Sequence, residues 1–278
     1  MSEPPSWVAH KLIPILQATL KRNVLVVEGD NDLAVYERWA ARIKTPRQTL
    51  PSAEILVAGS KSTLLKGLAW LRDEGGNPTN VFGLVDRDEW DSAIVAARRH
   101  ELPQLRVNST RHCLESYFSD PEEVIASLAA ADGEKLMELR KHLRSARMIW
   151  VPHWALWVTL QRACVALSLD AKFPNVFFNQ HPLPKDGIIK QQLREWSDVL
   201  KPKTLFEAFE QERASSLRKQ HSTQFRSCVY AKDFFPQVVL PELRKLDHTV
   251  KSEDWMVTLA QKMPDVPADV KAILQPIV

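Results

Sequence analysis

Four short apolar runs mark the first 110 residues, at 24–27 (VLVV), 54–58 (EILVA), 81–85 (VFGLV) and 105–108 (LRVN). Helical spacing follows the first three of them. Leu33, Tyr36 and Ala40 share one face, Leu64, Leu68 and Leu71 share another, and a third helix is expected from near Trp90 to near His100. Short apolar, β-branched runs alternating with helices of this length predict βαβ units and a parallel sheet. Strands that are apolar throughout, without polar alternation, predict a sheet covered on both faces. The expected fold class is therefore α/β, a parallel sheet flanked by helices.

From Asp120 onward the pattern changes. Helical segments are predicted at about 121–131, 134–148, 153–169, 187–199, 203–220, 229–246 and 252–263, with a loop marked by Pro174, Pro182 and Pro184. The expected organisation is an α/β domain over 1–119 and a mostly helical region over 120–278. No internal repeat is visible.

Composition narrows the class. At 278 residues, 45% hydrophobic and 26% charged, the chain has ordinary globular composition and enough length for a sizeable core. The net charge of +3 says little, but its distribution is uneven. Residues 1–118 hold 15 Lys/Arg against 14 Asp/Glu, while residues 135–232 hold 17 against 8, an excess that attracts polyanions if it is not simply a set of solvated helix faces. Cys113, Cys164 and Cys228 are odd in number and widely spaced, which argues against a disulfide framework and against structural zinc, and points to a reducing cytoplasm. The first residues lack a signal-peptide pattern. The most apolar window, from Met148, is too short to span a bilayer, so no membrane association is expected.

The candidate chemistry sits where strands end. In VLVVEGDND, Glu28 and Gly29 follow the first strand and Asp32 falls in the first turn of the next helix. In VFGLVDRDEWD, Asp86 and Asp88 follow the third strand. Ligands of parallel α/β sheets bind at the carboxyl ends of the strands, so these acids are expected to converge. Crowded carboxylates repel one another unless a cation compensates, and hard oxygen ligands suit Mg²⁺ or Mn²⁺. Gly29 leaves room for close backbone approach to a phosphate. The competing reading is helix capping, by Asp30 or Asp32 for one helix and by Asp88 for another. Ser60 and Lys61, in AGSKS after the second strand, are candidate phosphate contacts, although the spacing is not that of a P-loop. Arg140, Arg144 and Arg147 are spaced for one helix face, either tracking a phosphate backbone or facing water. His112 and His153 are expected to pack or hydrogen-bond rather than bind metal.

EGDND after one strand and DRD after a later one resemble the Toprim fold over roughly residues 22–118. The run from VEGDND through AGSKS, GLVDRDEWD and RHCLESYF is similar to the DUF4435 family, a Toprim branch near the OLD-type nucleases. That branch includes the nuclease component of the PARIS anti-phage system, which works beside an ABC-type ATPase. The resemblance implies roles. Glu28 would be the lead acid, as metal ligand or general base. Asp86 and Asp88 would be metal ligands, and Asp32 matches the additional acid of OLD-type motifs. Glu115, in CLESYF, matches the acid after the fourth strand. SCVYAKDFF from Ser227 is similar to the Gly-Lys segment of these nucleases, so Lys232 would stabilise charge on the scissile phosphate. Ala231 stands where the family has Gly, which puts the local turn in question.

The leading expectation is a Mg²⁺-dependent nuclease acting on RNA such as tRNA, or on DNA. By the same resemblance it would be an anti-phage effector with an ABC-type ATPase partner, and a possible homodimer. A non-catalytic interaction module on the same scaffold, binding a partner ATPase or nucleic acid, is the alternative of another class. A phosphoacceptor domain using Asp86 is the third, but the LRVNST segment lacks the lysine that it needs.

Overall fold

The structure, a computed structural model, describes residues 3–18, 22–43, 53–108, 110–128, 132–166, 186–246, 251 and 254–277. A π-helical turn, Val8–Leu12, runs into α1 (Ile13–Ala18). The α/β part then runs β1 (Asn23–Val27), α2 (Asp30–Ile43), β2 (Ala53–Val57), α3 (Lys61–Asp73), β3 (Val81–Val85), α4 (Ser92–Glu101) and β4 (Leu105–Val107). All pairings are parallel, in the order β2-β1-β3-β4, with Val26 of β1 opposite Leu56 on one side and Gly83 on the other. The chain is thus an α/β protein, with a parallel sheet flanked by helices and a helical region after it.

Period-two geometry explains why the strands are apolar throughout. Leu25, Val27 and Leu84 face one core with Val35, Tyr36 and Trp39 of α2. Val24, Val26, Val81 and Val85 face the other, with Leu64 and Leu68 of α3, Val95 of α4, and Trp7, Val8 and Leu12 before the sheet. Each strand therefore needs apolar side chains in both directions. Gly83 shows how tight the second face is: a Cβ there would lie 2.6 Å from Leu64 Cδ2 and 2.7 Å from Leu68 Cδ1.

After β4, a 3-10 turn (Leu114–Phe118) leads to α5 (Pro121–Ser127), α6 (Gly133–Ala166), α7 (Asp186–Val199), α8 (Pro202–Arg218), α9 (His221–Ser227), α10 (Ala231–Phe234), a π turn (Phe235–Val239), α11 (Leu240–Leu246), α12 (Trp255–Lys262) and α13 (Ala268–Leu274). Phe225, Phe234, Trp255, Leu259 and Leu274 of these helices share one core with β1 and α2. Among the described residues no helix is long and apolar enough to cross a membrane.

Three departures from the sequence expectation have physical causes. The two helices expected over 134–148 and 153–169 are one, α6, with Pro152 inside it. Proline removes one helical hydrogen bond, but Val151, Trp154 and Ala155 beside it are buried, and their packing carries the helix through. The helix expected over 229–246 runs unbroken over 231–246, but Pro236 and Pro241 withhold two backbone donors and its middle widens into a π turn between α10 and α11. The N-terminal helical pieces and α13 have too short a periodic pattern to be read from sequence. The loop expected around Pro174, Pro182 and Pro184 lies outside the described residues.

Gly83→Val should force Leu64 and Leu68 off β3 and lower unfolding free energy by about 1–3 kcal/mol, the usual range for overpacking. Urea denaturation measures this, and an unchanged midpoint would contradict the close helix–strand contact.

Candidate active site

The chain leaves β1 through α2 on one face of the sheet, and leaves β3 through α4 on the other. β1 and β3 are neighbours, so their carboxyl ends flank the point where the connections part, the usual ligand crevice of such sheets. Glu28 and Asp86 are the first residues beyond those two ends. Glu28 Oε1 accepts the Asp86 backbone N–H at 2.8 Å, joining residues 58 apart in sequence.

Asp32 is positioned by its own helix. Its Oδ2 accepts the Gly29 N–H at 2.8 Å, and the Gly29 carbonyl accepts the Leu33 N–H at 3.1 Å. The first bond is one half of a capping box and the second is the first turn of the helix itself, so the capping reading holds for that oxygen. A Cβ on Gly29 would meet Asp32 Oδ2 at 3.7 Å, ordinary contact, so the packing does not demand glycine there.

Asp88 is not a cap. Asp91 caps α4, its Oδ1 accepting the Ile94 N–H at 2.8 Å. Asp88 has φ 47°, in the left-handed region where a non-glycine residue is strained. The His112 carbonyl holds it there by accepting the Asp88 N–H at 2.7 Å. In this conformation Asp88 meets two lysines. Lys61 Nζ donates to Oδ2 at 2.5 Å and Lys232 Nζ donates to Oδ1 at 2.8 Å. Lys232 also stands 3.8 Å from Asp86 Oδ2. Lys61 lies 4.6 Å over the Trp90 ring, a neighbour that the sequence did not single out.

Lys232 arrives from the far end of the chain. The preceding Ala231 donates its N–H to His112 Nε2 at 3.3 Å, which ties α10 to the segment after β4. Among the described residues only Asn77 and Asp88 combine a side chain with positive φ, so the turn at Ala231 needs no glycine. His112 is buried, which drives its pKa down to about 3 and leaves the ring neutral, able to accept that hydrogen bond. It is a packing and hydrogen-bonding residue, as expected.

The electrostatics bind these groups into one cluster. Burial raises the pKa of Asp32 to about 7, with Glu28 and Glu115 adding to the effect against the Gly29 hydrogen bond. Burial likewise raises Glu28, against the pull of Lys61 and the Asp86 amide. Asp86 is pushed far above the carboxylate range by burial and by Asp88. Asp88 goes the other way: burial opposes its charge, but the two lysines outweigh it and hold the pKa below the usual range. For Lys232, burial is overcome by Asp88 and Asp86, which raise its pKa and keep it charged. Glu115, at the start of the 3-10 turn, acts on Asp32, and its Oε2 is buried without a protein partner.

Glu28, Asp32, Asp86, Asp88, Glu115, Lys61 and Lys232 are thus brought together. Ser60 instead caps α3, its Oγ accepting the Thr63 N–H at 3.2 Å. The arginine stripe requires correction. Arg140 and Arg144 both bind Glu122, at 2.9–3.0 Å, and Arg147 is turned inward, 6% exposed, with its guanidinium 6.0 Å from the Phe225 ring. Glu122 on α5 satisfies the first two, and no row of three free cations remains. Other cations stand beside the acids: a cavity of about 120 Å³ opens next to Asp88 and Trp90, lined by Arg87 and Lys219, by Arg162 paired with Glu212, and by Glu89. Two larger cavities, of about 450 Å³ between Thr110, Glu123 and Asp269 and of about 500 Å³ between Thr159, Thr204 and Glu212, contain none of the cluster acids.

The donor chemistry suits a hard divalent cation, but the arrangement does not hold one as it stands. Among the described residues no group of three or more His, Cys, Asp or Glu side chains is set to hold a metal ion. At Asp88 both oxygens bind ammonium groups.

Asp32 supplies a pH prediction. Its folded pKa of about 7 exceeds the ordinary 3.8, so it adds stability at low pH that is lost as pH rises from about 4 through 7. In buffer with chelator, Asp32→Asn should therefore gain thermal stability over the parent at pH 8 and much less at pH 5. An equal difference at both pH values would contradict the buried, proton-bearing carboxyl.

No family model matches this chain and no curated protein does, so the resemblance to Toprim nucleases rests on the sequence motifs alone.

Proposed function

We propose that this chain is a metal-dependent nuclease that hydrolyses phosphodiester bonds in RNA, such as tRNA, or in DNA. The observation that carries the proposal is the Glu28–Asp86 hydrogen bond at the parting of the sheet connections, with Asp32, Asp88, Glu115 and Lys232 around it. Structural salt bridges need no such surplus of buried acids. A site that must meet an anionic substrate with divalent help does.

The residues have distinct tasks. Asp32, with its pKa about 7, exchanges a proton near neutrality and is suited to take one from an attacking water. Lys232 stays charged and is suited to receive the negative charge that develops on the phosphate. Glu28 and Asp86, with Glu115 and Asp88 once a lysine leaves it, are the residues that would hold Mg²⁺ or Mn²⁺, and such an ion would polarise the phosphodiester. Arg87 and Lys219 line the cavity by which a phosphate strand would approach Asp88. The cell compartment is inferred to be the cytoplasm, on the free state of Cys113, Cys164 and Cys228. The motif resemblance extends the proposal to an anti-phage effector that works with an ABC-type ATPase, with a homodimer as its form.

A second reading is favoured by one observation. Both oxygens of Asp88 are held by lysines, a self-contained ion-pair network such as a non-catalytic module binding an ATPase or nucleic acid would have.

The two readings separate on Glu28→Ala and Asp86→Ala. Each should reduce Mg²⁺-dependent cleavage of tRNA or single-stranded DNA by a factor on the order of 100 or more, the scale of losing a group that acts in the transition state. Circular dichroism should be unchanged. Full cleavage by either purified variant, or no cleavage by the parent with any metal, would remove the nuclease reading. Binding to nucleic acid should also fall steeply between 50 and 200 mM salt, as counterion release requires of a phosphate-binding path; a flat response would exclude it.

A further inference from the structure

We infer that Lys61 is a charge gate on Asp88, holding the carboxylate in place of a divalent cation until a substrate phosphate draws the ammonium away. The inference rests on the nuclease reading and deepens it, because it couples metal binding to substrate binding at the same site.

The geometry carries it. Asp88 Oδ2 has Lys61 at 2.5 Å and Oδ1 has Lys232 at 2.8 Å, so a metal cation must compete with an ammonium charge at each oxygen. Lys232 has a second carboxylate, Asp86, at 3.8 Å, and stays satisfied if it leaves Asp88. For Lys61 the ion pair is with Asp88 alone among the described residues. Its other neighbour is the Trp90 ring at 4.6 Å, which gives the ammonium a resting contact close by. Lys61 is also the first residue of α3, after the Ser60 cap, so its stem leaves a helix N-terminus. A phosphate that reaches Asp88 meets Lys61 on its carboxylate and competes with it for the ammonium. The left-handed backbone at Asp88, held by His112, keeps the carboxylate aimed at the cluster when the lysine departs.

The gate predicts reciprocal coupling: nucleic acid strengthens metal binding, and metal strengthens nucleic-acid binding by the same factor. Removal of the gate should strengthen metal binding alone and erase the coupling. Lys61→Met keeps the apolar stem over Trp90 and removes the charge.

The test is a Mn²⁺ titration by calorimetry on the full chain, with and without a single-stranded phosphorothioate oligonucleotide. The parent should bind Mn²⁺ at least tenfold tighter with the oligonucleotide present. Lys61→Met should bind Mn²⁺ at least tenfold tighter than the parent without it, and gain little when it is added. Lys61→Arg, which retains the charge, should behave as the parent. Lys61→Gln gives the same readout as Lys61→Met if the latter fails to fold. Equal or weaker Mn²⁺ affinity in the neutral variants, beside a parent that binds Mn²⁺ and cleaves, would overturn the gate and leave the nuclease reading standing. No Mn²⁺ binding by parent or variants would overturn both.

Discussion

The organisation of this protein depends on how it keeps several carboxylates out of water at one place. Glu28, Asp32 and Asp86 are all raised in pKa by burial, and Asp88 remains ionised beside them only because Lys61 and Lys232 bind both its oxygens. Unpaired, such a group would be costly to bury. The two lysines come from opposite parts of the chain, one from the start of α3 and the other from the short helix at 231–234. The electrostatic requirement therefore ties the C-terminal helices to the sheet. The apolar core makes the same connection, since Phe225, Phe234 and Trp255 pack with Leu25, Val27 and Trp39.

The backbone does as much of the positioning as the side chains. The Asp86 amide fixes Glu28, the Gly29 amide fixes Asp32, and the His112 carbonyl fixes Asp88 in its left-handed conformation. His112 then accepts from Ala231 with its ring. One residue thus sets the placement of both an acid and the lysine that faces it. A neutral, buried imidazole is the right species for that task, because a charged ring would carry a proton on the accepting nitrogen.

Much of the first half was legible in advance because the signals there are local. β3 spans the 81–85 run, and β1, β2 and β4 lie within a residue of the runs at 24–27, 54–58 and 105–108. Apolar strands between amphipathic helices admit few other arrangements. The meeting of Glu28 and Asp86 followed from that topology. Chain-distant facts were less accessible. Whether Pro152 would break a helix depended on the burial of Val151 and Trp154, and whether Pro236 would distort one depended on the backbone donors that it removes. The excess of basic residues over 135–232 was readable as a count, but its meaning was not. Arg140 and Arg144 go to Glu122, Arg162 to Glu212 and Arg226 to Glu123, each a pairing across helices.

What the sequence by itself determined is the α/β plan and the gathering of acids at strand ends, because strand periodicity, helix periodicity and parallel connection are properties of neighbouring residues. What only the tertiary structure decided is the charge state of that gathering. Lys61 was expected to contact a phosphate and Lys232 to stabilise charge on the scissile one, and in the fold both bind Asp88. Ion pairing falls off within a few ångströms, so it follows the folded distances between side chains and leaves no periodic trace along the chain.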